Sequence, residues 1–167
     1  MKTVIYDSPV FYDHFVQDLN TELETLGWIE SQYPICRKGE VKEGTFPEAY
    51  YNSGSKKNIK VLPEGNSISF FMINGTISEV EDFHYRIPLS LFVWGDMTKI
   101  YPQKKYDYTG ELLKDVIGVL KKNSCDDLQI EIEGAFKDFS MIEKILQRET
   151  RTFTAFRINF TTTITKC

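Results

Sequence analysis

The chain has 167 residues, 41% hydrophobic and 26% charged, with 24 acids against 20 bases and a formal net charge of −4. Folding at this length hides about 70% of the extended chain's surface, enough for one domain core, and the apolar content excludes an intrinsically disordered polymer. The charge balance excludes a protein that grips phosphate backbones through an overall basic surface.

Ser8-Pro9 supplies an N-cap and a first helical position. Phe11, Phe15, Leu19, Leu23 and Leu26 follow at helical spacing, and Gly27 suits the C′ position. The spacing predicts a helix at about 9–26, running into a short strand at Trp28-Ile29. Residues 31–66 are punctuated by proline and glycine, with short strands expected at Phe46–Tyr51 and Ile59–Leu62. Between them Asn52–Asn58 is polar and reads as an exposed, mobile loop. Leu62-Pro63-Glu64-Gly65 fits a type I turn, predicting a hairpin from Ile59–Leu62 into Ser67–Ile73. Ile68, Phe70 and Met72 alternate with Phe71 and Ile73, so both faces of that strand are apolar and its expected place is central.

From Phe83 to Val93 every second residue is apolar, the pattern of a β-strand. Pro88 within it implies an edge position or a bulge. Leu112, Leu113, Val116, Ile117 and Leu120 mark a second helix, capped by Asp107 or Thr109 and closed by Lys121-Lys122. Leu128, Ile130 and Ile132 alternate with Gln129, Glu131 and Glu133, a strand with one wet face. Ser140 caps a short helix whose Met141, Ile142, Ile145 and Leu146 face inward. A last strand covers about Thr152–Thr165, with Phe156, Ile158, Phe160 and Ile164 opposite Arg157, Asn159, Thr161 and Thr163. Together these predict one α+β domain over 1–167: a largely antiparallel, twisted sheet flanked by two main helices and one short helix.

Chemistry is harder to find. No run approaches the roughly 18 apolar residues of a membrane span, and Met1–Ser8 does not read as a secretory leader. The expectation is a soluble protein made in the cytoplasm, with no membrane and no specific nucleic acid among its partners. Cys36, Cys125 and Cys167 are too scattered for a disulfide framework. His14 and His84 lack neighbours at metal-ligand spacing. Glu131 and Glu133 share a strand face, which reads as solvated. No glycine-rich phosphate cradle occurs. No cofactor, metal or catalytic residue is expected; an enzyme whose site residues cannot be paired by spacing, with His84, Arg86 and Glu131 as candidates, is an open alternative. The aromatic residues (12 Phe, 9 Tyr, 2 Trp) serve either as large core residues or as interface material. A small-ligand pocket on an aromatic-lined sheet face is the other open reading.

The order of parts carries a resemblance. An N-terminal amphipathic helix precedes a hairpin with Phe46-Pro47-Glu48-Ala49-Tyr50-Tyr51. The alternating strand Phe83–Val93, a helix from Glu111 to Lys122 and a terminal strand with Arg151–Phe160 follow. This order is similar to the tail-terminator (tail-completion, or neck) proteins of long-tailed bacteriophages and prophages. The resemblance implies a non-enzymatic virion protein that forms a ring, usually a hexamer, on the tail tube and meets the head connector. It implies partners that are copies of itself, tail-tube protein and connector protein. It implies contact surfaces on the aromatic and threonine-rich strand faces: Tyr50, Tyr51, Lys56, Lys57, Phe92, Trp94, Arg157, Asn159 and Thr161. Relative to shorter members, 52–58 and 126–149 look like insertions.

Overall fold

The computed structural model describes residues 2–3, 11–51, 55–60, 65–148 and 152–165. The elements in chain order are β1 (Lys2–Thr3), α1 (Tyr12–Glu24), β2 (Ser31–Val41), β3 (Gly44–Tyr51), β4 (Ser55–Asn58), β5 (Ser67–Ile73), β6 (Ser78–Glu81) and β7 (His84–Asp96). Then come α2 (Met97–Ile100), α3 (Thr109–Lys122), β8 (Asp126–Glu131), α4 (Ser140–Arg148) and β9 (Phe153–Thr165). The strands form one sheet in the order β4-β3-β2-β5-β7-β9-β8, with β1 beside β2 and β6 beside β7. Among the described strands only β1–β2 and β2–β5 run parallel. The chain is an α+β fold with a mostly antiparallel sheet.

One face of the sheet is covered by α1 and α3. The expected stripe of α1 places Leu19 and Leu23 in the core, joined by Leu112, Val116 and Leu120 of α3. Below them lie Ile87, Leu89, Leu91 and Val93 of β7 and Phe156, Ile158 and Phe160 of β9, all 2% exposed or less. Gly27 has φ +80, and its N–H reaches the Glu24 carbonyl, so it closes α1 as expected. Ser8-Pro9 lies outside the described residues. Asp107 Oδ1 accepts the Thr109 N–H at 2.9 Å at the start of α3.

The opposite face holds a second core. Phe70 of β5 stacks on Phe92 of β7 with ring centroids 4.8 Å apart. Phe136 and Phe139 close over both rings edge-on. Ile142 of α4 and Trp94 complete the layer. Thus much of the stretch expected as an insertion at 126–149 is the lid of a core, without which Phe70, Phe92 and Trp94 would face water.

Four expectations are corrected. Trp28 and Ile29 are buried but precede the strand, which starts at Ser31. Ser55–Asn58, expected as loop, pairs with β3 as an edge strand whose lysines extend into water. Ile59 and Lys60 are not strand, residues 61–64 lie outside the described residues, and β5 pairs with β2 and β7, not with a preceding hairpin arm. Finally, β7 is central despite Pro88. The Pro88 carbonyl accepts from the Asn74 N–H. A residue's N and O point to the same side of a strand, so the missing donor faces the gap where β5 has ended and β6 has not begun.

The long strand β2 serves two partners in turn. Its first half pairs with β5 and its second half with β3, with a register shift between Gln32 and Ile35 that contains Pro34. The β2–β3 hairpin tip then reaches the lid: Thr45 N–H donates to Ser140 Oγ at 2.9 Å, and Thr45 Oγ1 donates to the Asp138 carbonyl. Gly44 has φ +147, and a Cβ there would collide with Ser140 Oγ, so close approach fixes this residue type.

Candidate functional site

The residues expected at contact surfaces fall into separate environments. Phe92 and Trp94 are 1% and 0% exposed in the second core. They present no surface to a partner, which corrects their assignment as interface residues. The sequence shows that their strand face is apolar; it does not show that residues 135–142 cover it.

Tyr50, Lys56 and Lys57 lie together on the β3–β4 edge. The Tyr50 hydroxyl donates to Glu48 Oε1, and Lys56 Nζ lies 3.5 Å from Glu48 Oε2. The Tyr50 hydrogen bond foremost, then Lys56, holds the Glu48 carboxyl below its ordinary range. Arg37 sits 5.9 Å over the Tyr50 ring, which stays 41% exposed. Tyr51 pairs through its backbone with Ser55; its side chain lies outside the described residues.

Arg157 and Asn159 anchor a polar network on the second face. Arg157 Nε donates to Asn159 Oδ1 at 2.8 Å, Nη2 to Ser90 Oγ at 3.1 Å and Nη1 to Asp138 Oδ2 at 3.0 Å. Its guanidinium lies 4.8 Å over the Phe92 ring. Asn159 Nδ2 donates to Glu131 Oε2 at 3.1 Å, and Asn74 Nδ2 donates to Ser90 Oγ at 2.7 Å. The Asn159 amide foremost, with Lys137 and Arg157, holds Glu131 below the ordinary carboxylate range. Glu131 is therefore no member of a freely solvated strand face. The network ties the loop after β5, strands β7, β8 and β9, and the lid together; with the guanidinium nitrogens engaged internally, it clamps the chain. Thr161 donates to Asp127 Oδ2 at the β8 bulge.

The catalytic candidates His84, Arg86 and Glu131 do not converge on one place. His84 stands opposite Thr165 on β9, whereas Glu131 stands opposite Arg157, a separation of roughly 26 Å at strand rise. His84 Nδ1 contacts the Asp82 carbonyl, and Arg86 reaches Asp127 at 4.0 Å. Burial pushes the Cys36 thiol well up and Cys125 up to about 12, so neither is an activated nucleophile. Among the described residues no group of three or more His, Cys, Asp or Glu is placed to hold a metal ion. No helix among them is long and apolar enough to cross a membrane.

Open clefts and a projecting hairpin also mark the surface. A cleft of about 580 Å³ lies where β2 leaves β5, lined by Tyr12, Cys36, Arg37, Tyr50, Met72 and Ile73 among others. A second, of about 510 Å³, lies beyond the end of β7 between Met97, Pro102, Lys104, Lys105 and Tyr106. Beside it, Lys104 Nζ stands 4.8 Å over the Tyr101 ring and 5.2 Å over Tyr108, and pairs with Glu111. At the opposite end of β7 the β6–β7 hairpin exposes Val80 and Phe83. Sequence reading missed this hairpin as a surface feature: Phe83 continues the apolar alternation of β7, yet it sits in the turn. Comparison with protein-family models, curated proteins and solved structures finds no match for this chain.

Proposed function

We propose that this chain is a non-enzymatic structural subunit that assembles with its own copies into a ring, of the kind that closes the tail tube of a long-tailed phage and meets the head connector. The observation that supports this reading is the placing of its exposed apolar side chains. Phe83, Val80, Ile130, Ile132, Tyr106, Tyr50 and Val41 are 36–66% exposed. They are spread over the surface: the β6–β7 hairpin, the end of β8, the segment before α3 and the β2–β3 hairpin. A ring subunit contacts two neighbours through different surfaces and an axial partner through a third, and scattered apolar contact points suit that work. The virion role rests on the order of elements alone.

Sedimentation velocity on the purified chain tests the reading. A species several times the mass of one copy is expected, together with arrest of tube growth when the chain is added to polymerising tail-tube protein. A single-copy mass at every concentration overturns it. A second reading, a binding module for a small ligand, is favoured by the cleft between β2 and β5. It predicts a monomer protected by a ligand from thermal unfolding.

A further inference from the structure

The β6–β7 turn is built in a way that folding alone does not explain. Glu81 and His84 pair directly, leaving Asp82 and Phe83 as the two turn residues. Phe83 has φ +64, a conformation in which glycine or asparagine ordinarily sits. A bulky residue there costs about 1–2 kcal/mol, and this one returns nothing within the chain's cores: it is 66% exposed. Val80 beside it is 52% exposed. Glu79, Glu81 and Asp82, all exposed, surround the two apolar side chains. Strain held at an exposed aromatic residue points to a contact made outside the chain.

The complement lies at the other pole. β7 runs 13 residues from the hairpin to the second cleft, a distance of roughly 40 Å. That cleft carries Lys104 and Lys105 against Asp107 on its walls, with Lys104 paired to Glu111 and Lys105 exposed beside the Pro102 carbonyl. It is apolar and aromatic where an anchor would enter, with Met97, Pro102 and Tyr106 on its walls. Asp107 also lines it, but its carboxylate holds the start of α3. A cavity of about 150 Å³ accommodates a benzene ring, so a cleft of about 510 Å³ has room for the Phe83 ring and its neighbours.

We propose that copies of this chain associate head to tail, the acidic Val80–Phe83 tip of one copy seating Phe83 beside Tyr106 and Lys105 in the cleft beyond β7 of the next. Tip and cleft lie at opposite poles of one strand, so the contact is heterologous and joins different copies. Such contacts propagate and close where the rotation between copies allows a ring. The proposal rests on the assembly reading above and assigns its surfaces.

Sedimentation velocity over a wide concentration range, with thermal unfolding in parallel, tests it. Phe83→Gly relieves the turn, so its melting temperature is expected to equal or exceed that of the natural chain. Its association is expected to weaken roughly tenfold or more, as the loss of an apolar anchor does. Glu81→Lys and Lys105→Glu are each expected to weaken association, and the double variant E81K/K105E to recover it. If the natural chain assembles but F83G associates equally well, or the double variant is no better than the singles, the assigned contact is overturned and the assembly reading stands. If the natural chain stays monomeric throughout, both are overturned.

Discussion

Arg157 commits its guanidinium nitrogens to Asn159, Ser90 and Asp138 while the group stands 4.8 Å over the Phe92 ring. Its side chain is only 13% exposed. Arg157→Met keeps most of the aliphatic stem and removes the charge, leaving the Asp138 carboxylate without its cation and Glu131 with Lys137 alone. The expected loss is about 2–3 kcal/mol, read as a lower urea midpoint at unchanged slope. Glu131 in the same network carries a pH signature. Its folded-state pKa is lowered, first by the Asn159 amide. Its contribution is therefore complete above the ordinary carboxylate range and is lost as pH falls through the folded value. With the side chain 32% exposed, solvent holds this to under about 1 kcal/mol. The stability gap between the natural chain and Glu131→Gln should narrow in urea titrations as the pH is lowered to about 3.

The lid acts as an element. Phe139 is fully buried and meets Phe70 and Phe92 edge-on. Phe139→Ala is expected to cost about 3–5 kcal/mol and to expose dye-binding apolar surface; a change below about 1 kcal/mol would mean that the lid does not cover this face. This element was the least legible in the sequence, and the reason is physical. Strict alternation revealed β7 and β9, and helical spacing revealed α1, α3 and α4, because each pattern lies within one element. Phe136 and Phe139 precede α4 in turns with no period, so their burial was invisible until the sheet face beneath them was placed. The same gap misassigned Phe92 and Trp94: alternation tells which face is apolar, not what covers it. β5 was read correctly as central, but its parallel neighbour β2 was not, since pairing across more than 30 residues leaves no local mark. At the candidate surfaces, Arg157 and Asn159 were legible as a shared strand face. Their partners Asn74, Ser90 and Asp138 come from elements far apart in the chain.

At the scale of the molecule, the sheet sets the poles and the two cores set the faces. β7 alone spans the distance from the hairpin tip to the cleft beyond its end, backed along its length by β9 through 13 residue pairs. This rigid spine keeps the two proposed contact points at a fixed separation, which a closed ring demands of each subunit. The placing of β9 has a further consequence, in time. It is the last of the described strands, yet it lies between β7 and β8 and supplies Phe156, Ile158 and Phe160 to the first core. A nascent chain that has not reached residue 153 has an empty slot in the middle of its sheet and an open core above it. The sheet and first core therefore cannot close until residues 153–165 have been made.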